Sequence, residues 1–521
     1  MPTTLTARNT DRLFTPAVME LVHLLHARFG EQRLQVLQQG EARRDALRTG
    51  SVGELAETAA TRHGNWQVDP VPAELLERRV ELIGGCSRKE LIDGMNAGAK
   101  SYVADLWDMT PNERGAILRA HKNIERAAAL NLAYVGNDGS RVRINPGSTT
   151  RLMVVPRPLH ATDHCIGTPG EPLAATFVDL ALVAVLSAER MRLRQGGVYL
   201  YLRDLGGHAE ARLWKEIFSL LEDRLEFARG TFKATVMMDS LAVLLEADEV
   251  LHELRHHSAG LAMAPQAFAA DHVALFSHPD KPVLPDREHI GLNAHFLRSA
   301  SLRTISICHR RQAHAIGAPA FVLPPQPDGV LRADFLEMLA DKEREAVDGH
   351  DGTLVALPGL VNPAMAEFNK SMPRSHQMYF QRPDTSTPED LVMHPAGDLT
   401  TEGMQRCIRT VLHALVQYPG HQGLVVQGGR VHDRTSIRLA TLLIWHWTRS
   451  KVCFITNTGL EVHEEVVKYL IRKEGKKLAE RGIAPDKQSA DRAVDRLLSA
   501  ALSPAVPPDL LEEDAKPGTD A

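Results

Sequence analysis

The sequence predicts an α/β fold in which buried parallel strands alternate with amphipathic helices, as in a (β/α)8 barrel (TIM barrel) or a doubly wound sheet. Between about residues 80 and 385, short apolar runs rich in β-branched residues alternate with longer amphipathic stretches, which is typical of βαβ units. No predicted strand is followed by GxGxxG at the head of a helix. We therefore favour the barrel over a dinucleotide-binding sheet, although periodicity alone leaves the two nearly even.

An N-terminal helical segment, residues 1–78, precedes the predicted barrel. Apolar spacing in residues 17–29 and a charged stretch at 32–48 keep a helical period. Helices are also predicted at 209–225 and 241–256, where apolar residues recur at three- and four-residue spacing. Barrel strands are predicted at residues 100–105 (KSYVAD), 151–155 (RLMVV), 197–202 (GVYLYL), 232–238 (FKATVMM) and 321–323 (FVL).

The barrel domain is predicted to span residues 79–390 and to be followed by a C-terminal helical domain at 391–485. Residues 401–418 and 434–449 have the periodicity of helices within that domain. The tail, residues 486–521, contains a helix-like piece and then a Pro- and Asp-rich end, which we predict to be disordered from Pro504 onward.

Composition and charge exclude several partners and kinds of site. The 521 residues include 60 basic and 65 acidic side chains without a long basic run, which argues against binding to nucleic acid or to a membrane surface. The five cysteines show neither CxxC nor zinc-ligand spacing, so no disulfide framework or structural metal site is predicted. A reducing, cytoplasmic location is expected, and the final residues, PGTDA, are no peroxisomal signal.

Candidate functional residues follow the predicted strands, because barrel enzymes place reacting groups at the carboxyl ends of their strands. The polar side chains found there are Asp105, Asp108, Arg157, His160, Arg203, Asp204 and Asp239. Structural interpretations compete with the functional ones. Asp239 could cap the next helix, and Arg203 and Asp204 could form a local ion pair at the rim. His160 and His164 would resemble a metal-binding pair only if their segment were helical.

Three later segments also carry charged residues. Residues 341–345 (DKERE) are most simply a solvated helix face. Residues 348–352 (DGHDG) place His350 and Asp351 in a glycine-bracketed turn before an apolar strand, where a ligand could approach the backbone. In residues 428–433 (GGRVHD), Asp433 could be either a helix cap or a catalytic base, and on local sequence alone the cap is favoured.

The chain resembles the malate synthase A family from about residue 93 to residue 474. Residues 93–108 (DGMNAGAKSYVADLWD) are similar to the family pattern N-[SA]-G-A-K-x-x-x-A-D-F-E-D. Further similar segments are residues 208–214 (HAEARLW), 230–236 (GTFKATV), 251–261 (LHELRHHSAGL), 308–317 (CHRRQAHAIG) and 341–360 (DKEREAVDGHDGTLVALPGL). So many similar segments in the same order make a chance resemblance negligible.

The resemblance implies a TIM barrel flanked by helical parts and an acyltransferase reaction. Family members condense acetyl-CoA with glyoxylate on Mg2+ and hydrolyse the product to malate and CoA. The partners would be these small molecules, an acyl-CoA and a 2-oxoacid. Two alternatives are a related synthase or lyase acting on another carbonyl compound or acyl-CoA, and a barrel of this family that has lost catalysis.

The resemblance also assigns roles to individual residues. Counting back from Trp445-His446-Trp447, the family's catalytic base falls on Asp433 in VHDRTSIRLA. The family pattern V-R-P-R-G-W-H-L corresponds to VVPRPLH, so its first arginine becomes Val155 and only Arg157 survives as a candidate catalytic arginine. The metal-binding Glu of K-A-T-V-L-I-E-T becomes Asp239.

Other site positions depart from the family pattern. The second metal carboxylate falls on Gln266 or Ala267, with Asp271 a few residues further on. The Lys and Glu of Y-L-P-K-L-E-S become Asp204 and Gly206. Trp107 replaces a Glu, whereas His432, Arg434 and Arg438 replace a Glu, an Ala and a Glu around the base. The CoA end is assigned to four residues of the well-kept segment, His350, Asp351, Pro358 and Gly359.

Overall fold

A closed barrel of eight parallel strands forms the centre of the protein. The structure is a computed structural model, and it describes residues 12–111, 113–136, 138–168, 171–325, 331–417 and 424–511. Each strand pairs with the next along the chain, and the last pairs with the first. The prediction of a (β/α)8 barrel is therefore confirmed. Its strands are β1 Val80–Gly84, β2 Ser101–Asp105, β3 Arg151–Val155, β4 Val198–Leu202, β5 Phe232–Met238, β6 Ser258–Met263, β7 Ala315–Ala320 and β8 Gly352–Val355.

The strands are buried on both faces, which is why they appear in the sequence as short continuous apolar runs. Side chains that point inward fill the barrel, among them Val103, Met153, Ile316 and Leu354. Outward side chains pack under the helices. The barrel is thus a solid core, and a ligand must bind at its mouth rather than within it.

Helices surround the barrel and precede it. The N-terminal part contains α1 Pro16–Arg48 and α2 Ala59–His63, and α1 packs against the barrel helices α5 and α7. The helices around the strands are α3 Arg88–Asn96, α4 Arg114–Ala128, α5 Ala175–Leu186, α6 Ala188–Gln195, α7 His208–Leu225, α8 Leu241–Leu245, α9 Ala247–Glu253, α10 Pro265–Phe276, α11 His295–Arg310, α12 Ala333–Asp348 and α13 Val361–Ser371. Among the described residues, no helix combines the length and apolar character needed to cross a membrane.

A C-terminal group of helices packs against one side of the barrel, chiefly through α16 on α10. These helices are α14 Pro388–Val392, α15 Thr401–Gln417, α16 Arg434–Arg449, α17 Glu464–Glu480 and α18 Lys487–Ala501. Small antiparallel hairpins, four of them in the described parts of the chain, pack around these helices and strands. They pair Ala133–Val135 with Arg141–Arg143, Thr162–Thr168 with Glu171–Ala174, Val425–Gln427 with Arg430–His432, and Phe454–Ile455 with Leu460–Glu461.

Two element predictions were wrong. Residues 321–323 are not a barrel strand, because they follow β7 and Val322 instead forms an antiparallel bridge with Arg430. Residues 241–256 are not one helix, because Glu246 leaves the helical conformation between α8 and α9, with φ of −107° and ψ of 20°. Its carboxylate accepts hydrogen bonds from the backbone N–H of His208 (3.0 Å) and from Arg43 (3.1 Å).

Two predictions about charged and terminal segments were also wrong. Lys342 and Glu345 are both 2% exposed rather than solvated. The segment after Pro504 is ordered as far as Leu511, since Arg438 donates to the carbonyls of Pro507 (2.6 Å) and Pro508 (2.8 Å). Residues 512–521 lie outside the described part of the chain.

Candidate active site

A cavity of about 470 Å³ opens at the carboxyl ends of the strands. It lies between the loops after β2, β4 and β5, the helices α1, α10 and α16, and the C-terminal tail. A narrow chamber of about 30 Å³ continues from it toward the barrel, and Asp105, Asp108, Arg203, Gln266 and Asp433 contribute to the chamber wall. Asp108 and Arg203 line both spaces, so the two adjoin.

Asp433 both caps a helix and lies in the wall of the chamber, so the two roles that the sequence left open do not exclude each other. It is the N-cap of α16, and its Oδ1 accepts a hydrogen bond from the backbone N–H of Ser436 (2.8 Å). The cap uses one carboxylate oxygen, and the side chain also lines the chamber. Burial and the neighbouring carboxylate of Asp108 raise the pKa of Asp433 to about 7. A carboxyl group with that pKa can take up a proton near neutral pH, as a general base must.

The hairpin before α16 holds Asp433 over the barrel. Its two-residue turn, Gly428 and Gly429, has φ of 61° and 83°, values that favour glycine and suit a tight antiparallel turn. The backbone N–H of Val431 donates to the carbonyl of Phe321 (2.8 Å), directly after β7. Asp433 is therefore fixed to the barrel wall through backbone hydrogen bonds.

A buried cluster of charges connects β2 with β4 beside Asp433. Nη1 of Arg203 lies 2.5 Å from Oδ2 of Asp108 and 3.6 Å from Oδ2 of Asp105. The Arg203 Nε is 3.7 Å from Asp204, so the predicted local ion pair is the weaker of its contacts. Burial and Asp108 raise the pKa of Asp105 to about 6. Oδ2 of Asp108 also accepts a hydrogen bond from the hydroxyl of Thr435 (2.6 Å), which ties the cluster to α16.

Asp239 does not cap the following helix, because the cap of α8 is the hydroxyl of Ser240. One of its carboxylate oxygens, Oδ2, accepts a hydrogen bond from the backbone N–H of Asp204 (2.6 Å). The other, Oδ1, is buried and has no hydrogen-bond partner among the described residues. Burial and the charge of Asp204 raise the pKa of Asp239 well above its usual value. A buried carboxylate oxygen of this kind suits a cation as its partner.

At the other predicted metal position, the side chains of Gln266 and Asp271 are already bonded to arginines. Gln266 accepts a hydrogen bond from Arg287 (2.9 Å). Asp271 lines the cavity but is paired with Arg44 of α1 (2.6 Å) and caps the backbone N–H of Leu241 (2.9 Å). Within the described residues, no group of three or more His, Cys, Asp or Glu side chains is arranged to hold a metal ion. Asp239 therefore differs from Gln266 and Asp271, which are both bonded to arginines, in having one buried carboxylate oxygen without a hydrogen-bond partner among the described residues.

Arg157, the predicted catalytic arginine, faces a different buried site. Its guanidinium bonds to Asp179 through Nε (3.0 Å) and Nη2 (2.7 Å), and lies 2.8 Å from Asp163. It is 1% exposed and lines neither the cavity nor the chamber. Val155 is fully buried within the barrel. The geometry therefore gives Arg157 a structural role, and β3 places no cation in the chamber.

The four residues assigned to the CoA end are divided between the two ends of β8. His350 and Asp351 precede the strand, are fully buried, and bond to Ser301 (2.8 Å) and His309 (3.2 Å) at the amino-terminal end of the barrel. This placement argues against direct contact between either side chain and CoA. Pro358 and Gly359 follow the strand and are exposed at the same end as the cavity.

The structure adds Asp509, which the sequence analysis did not find, to the wall of the cavity. The guanidinium of Arg434 lies 3.8 Å from the centre of the Trp107 ring and 2.7 Å from Asp509. Asp509 belongs to the tail that was predicted to be disordered, so no signal in the sequence pointed to it. His160 packs edge-on against Trp107 at 5.6 Å. The segment Thr162–Thr168 is a strand, which excludes a helical His160–His164 pair, and the side chain of His164 lies outside the described residues.

Similarity to known proteins agrees with this architecture. The family model of the malate synthase TIM barrel domain matches residues 151–394. A malate synthase of Myxococcus xanthus (strain DK1622) is 33% identical over 84% of this chain and 81% of its own length. Malate synthase A of Escherichia coli (strain K12) is 29% identical over 90% of this chain and 88% of its own. A malate synthase of Streptomyces clavuligerus is 32% identical over 89% and 86%. The chain therefore belongs to the malate synthase family.

Proposed function

We propose that this protein condenses acetyl-CoA with glyoxylate and releases malate and CoA. The observation that carries the proposal is Asp433, a buried carboxyl group with a pKa of about 7 that lines a chamber at the carboxyl ends of the barrel strands. Membership of the malate synthase family supports the choice of substrates, since the relatives carry that name over most of their length.

Asp433 acts as the general base. Its Oδ1 is held by the cap of α16, which leaves Oδ2 to remove a proton from the methyl group of acetyl-CoA. The resulting enolate carbon attacks the carbonyl carbon of glyoxylate, and the carbonyl oxygen becomes a hydroxyl group after gaining a proton. Water then cleaves the thioester, giving a carboxylate and the free thiol of CoA.

Asp239 is the residue proposed to hold Mg2+, because its buried Oδ1 has no hydrogen-bond partner within the described ranges of the chain. Mg2+ bound there would hold and polarise the 2-oxoacid. The chain's own contribution is to fix the position of this carboxylate through the backbone N–H of Asp204. Asp271 is already neutralised by Arg44, so Asp239 is the more available of the two carboxylates.

Acetyl-CoA is proposed to reach the site across the face that carries Pro358 and Gly359. A second cavity of about 550 Å³ lies between the loops after β1 and β2 and helix α4, and β1 is the barrel neighbour of β8, which Pro358 and Gly359 follow. Its wall includes the cationic side chains Arg88, Arg119, Lys122 and Arg126, which suit the phosphate groups of CoA. The KM for acetyl-CoA, measured with Arg126→Ser, should rise while the KM for glyoxylate stays constant.

Product analysis tests the proposed function directly. Acetyl-CoA labelled with ¹³C in the methyl group is incubated with glyoxylate and Mg2+, and labelled malate is sought by mass spectrometry. We expect malate, and we expect chelation of Mg2+ to reduce its yield. Absence of malate, together with a labelled product from another 2-oxoacid, would favour the alternative of a related synthase with a different substrate.

A further inference from the structure

The condensation proposed for this chamber requires a cation, which the family pattern would supply at the end of β3. Condensation places negative charge on the carbonyl oxygen of the 2-oxoacid, and a fixed cation beside that oxygen lowers the barrier. The position of the family's first arginine is Val155, which is fully buried among apolar side chains. Arg157 is committed to Asp179 and Asp163.

Arg203 is the only cationic residue in the wall of the chamber, as far as the described parts of the chain go. Its Nη1 contacts Asp108, and its Nη2 donates to the hydroxyl of Thr435 (3.0 Å). Its Nε is buried and makes no hydrogen bond to any part of the chain that the structure describes. Arg287 lies behind the wall, where its Nη2 donates to Gln266 (2.9 Å) and Ser436 (2.6 Å), and it does not line the chamber.

Compared with the family pattern, this chain has an additional arginine at position 203 and lacks one at Val155, and the two positions lie on neighbouring strands. In the family pattern Y-L-P-K-L-E-S the Lys corresponds to Asp204, so Arg203 stands where the pattern has Pro. Strand β4, which Arg203 follows, is the barrel neighbour of β3, which ends at Val155. One cation is thus missing at the end of one strand and one is added at the end of the strand beside it.

We infer that Arg203 is a catalytic residue that replaces the missing arginine, binding the 2-oxoacid and stabilising the oxygen that becomes negative during condensation. The inference rests on the proposed function, of which it specifies one part. Asp433 takes the methyl proton, the new C–C bond forms, and electrons move onto the carbonyl oxygen beside the guanidinium. That oxygen then gains a proton and becomes the hydroxyl group, while Arg203 stays charged throughout.

The neighbours of Arg203 suit this role. Asp108 and Thr435 hold the guanidinium from two sides, so it is positioned before substrate arrives. Asp105 and Asp108 also balance its charge within the buried cluster. Since Thr435 belongs to α16 and lies two residues after Asp433, the same helix positions both the cation and the base.

The test compares Arg203→Gln with a variant that exchanges the two cation positions, Val155→Arg/Arg203→Gln. We expect Arg203→Gln to lower kcat about 100-fold or more, as the loss of one oxyanion-stabilising group does. The KM for acetyl-CoA should change less than about threefold, because the cation acts at the 2-oxoacid end. The kcat of the double variant, Val155→Arg/Arg203→Gln, should be at least about tenfold higher than the kcat of Arg203→Gln. The matched control is Arg157→Gln, which should lower the melting temperature while the folded enzyme keeps its kcat.

Binding of a 2-oxoacid, measured by calorimetry with pyruvate and with glyoxylate, separates this inference from the proposed function. If the unmodified protein forms malate and Arg203→Gln keeps full kcat and full binding, the inference is overturned and the function stands. If the unmodified protein forms no malate, the function fails. The inference then survives only if a 2-oxoacid binds and Arg203→Gln abolishes the binding. Loss of kcat in Arg157→Gln without loss in Arg203→Gln would transfer the role to Arg157.

Discussion

At the scale of single residues, the charge around Asp433 decides how the site responds to pH. Burial and the carboxylates of Asp108 and Asp105 raise its pKa, whereas Arg203 and the Ser436 N–H lower it, with a net value of about 7. Arg287, behind the wall, also acts on Asp433 electrostatically. Asp433 is therefore divided between its protonated and ionised forms near neutral pH.

The first prediction concerns the pH dependence of kcat/KM. Asp433 must be ionised to accept a proton, so kcat/KM should fall about tenfold for each pH unit below about 7 and level off above it. The measurement is a pH–rate profile between about pH 5.5 and 9. In Asp108→Asn the midpoint should move to lower pH, because one of the charges that raise the pKa of Asp433 is gone. A profile that is flat through pH 7 would contradict this role of Asp433.

The sequence predicted candidate residues of the cavity wall at positions that align with the family pattern. It did not predict the ion-pair partners that come from distant segments of the chain. Asp433 and Asp239 were identified from the resemblance, and both line the cavity or its chamber. Arg203 was interpreted as pairing with its neighbour Asp204, yet its closer partner is Asp108, from the loop after another strand. Sequence spacing cannot reveal a contact of that kind, because it depends on how β2 and β4 close around the barrel.

At the scale of elements, the four strands β2 to β5, which contain large or β-branched residues, were predicted from the sequence, whereas β1 (VELIG) and the strands of small residues were not. The predicted runs at 151–155 and 232–238 coincide with β3 and β5. The sequences SAGLAM of β6 and AIGAPA of β7 were not recognised, because glycine, alanine and proline give little strand signal. The strand was predicted instead at the apolar residues 321–323, which directly follow β7.

The C-terminal tail is the element whose role differs most from expectation. Arg434, Arg438 and Arg449 of α16 hold residues 504–509 by hydrogen bonds, and Asp509 lines the cavity. Its order comes from these long-range contacts, which a Pro- and Asp-rich composition does not indicate. The tail therefore acts as part of the wall of the site.

The second prediction is that removing this wall impairs the enzyme. A chain ending at Ser503 should lose most activity, because Arg434 loses Asp509 and the cavity opens to solvent beside Trp107. The matched control ends at Leu511, removes only residues 512–521, and should keep full activity. Steady-state kinetics and thermal melting of both chains check the prediction. Equal kcat and KM in the two truncated chains would contradict it.

At the scale of the whole molecule, buried charged groups away from the cavity join elements of the barrel. Lys342 and Glu345 of α12 are buried between β7 and β8, where Nζ of Lys342 donates to the carbonyl of Ala318 (2.5 Å). Glu345 accepts from the backbone N–H of Ala318 (2.9 Å) and the hydroxyl of Thr353 (2.6 Å). The pair thus joins one helix to two strands of the barrel.

The third prediction compares two acidic residues of that helix. Glu345→Ala should lower the free energy of unfolding by about 3–5 kcal/mol, because Lys342 is left buried without its carboxylate. Asp341→Ala, which removes an exposed partner of Arg344, should change it by less than about 1 kcal/mol. Denaturant unfolding of both variants measures the difference. Similar values for the two would show that the buried pair does not stabilise the barrel.

The central claim, that Asp433 is the base of an acetyl-CoA condensation, is tested most directly by release of the CoA thiol. Acetyl-CoA, glyoxylate and Mg2+ are mixed with the unmodified protein or with Asp433→Asn, which keeps an oxygen able to cap α16 but cannot accept the proton. We predict that thiol appears with the unmodified protein and that Asp433→Asn lowers the rate by at least about 100-fold, with its melting temperature little changed. Equal thiol release by both proteins would contradict the account.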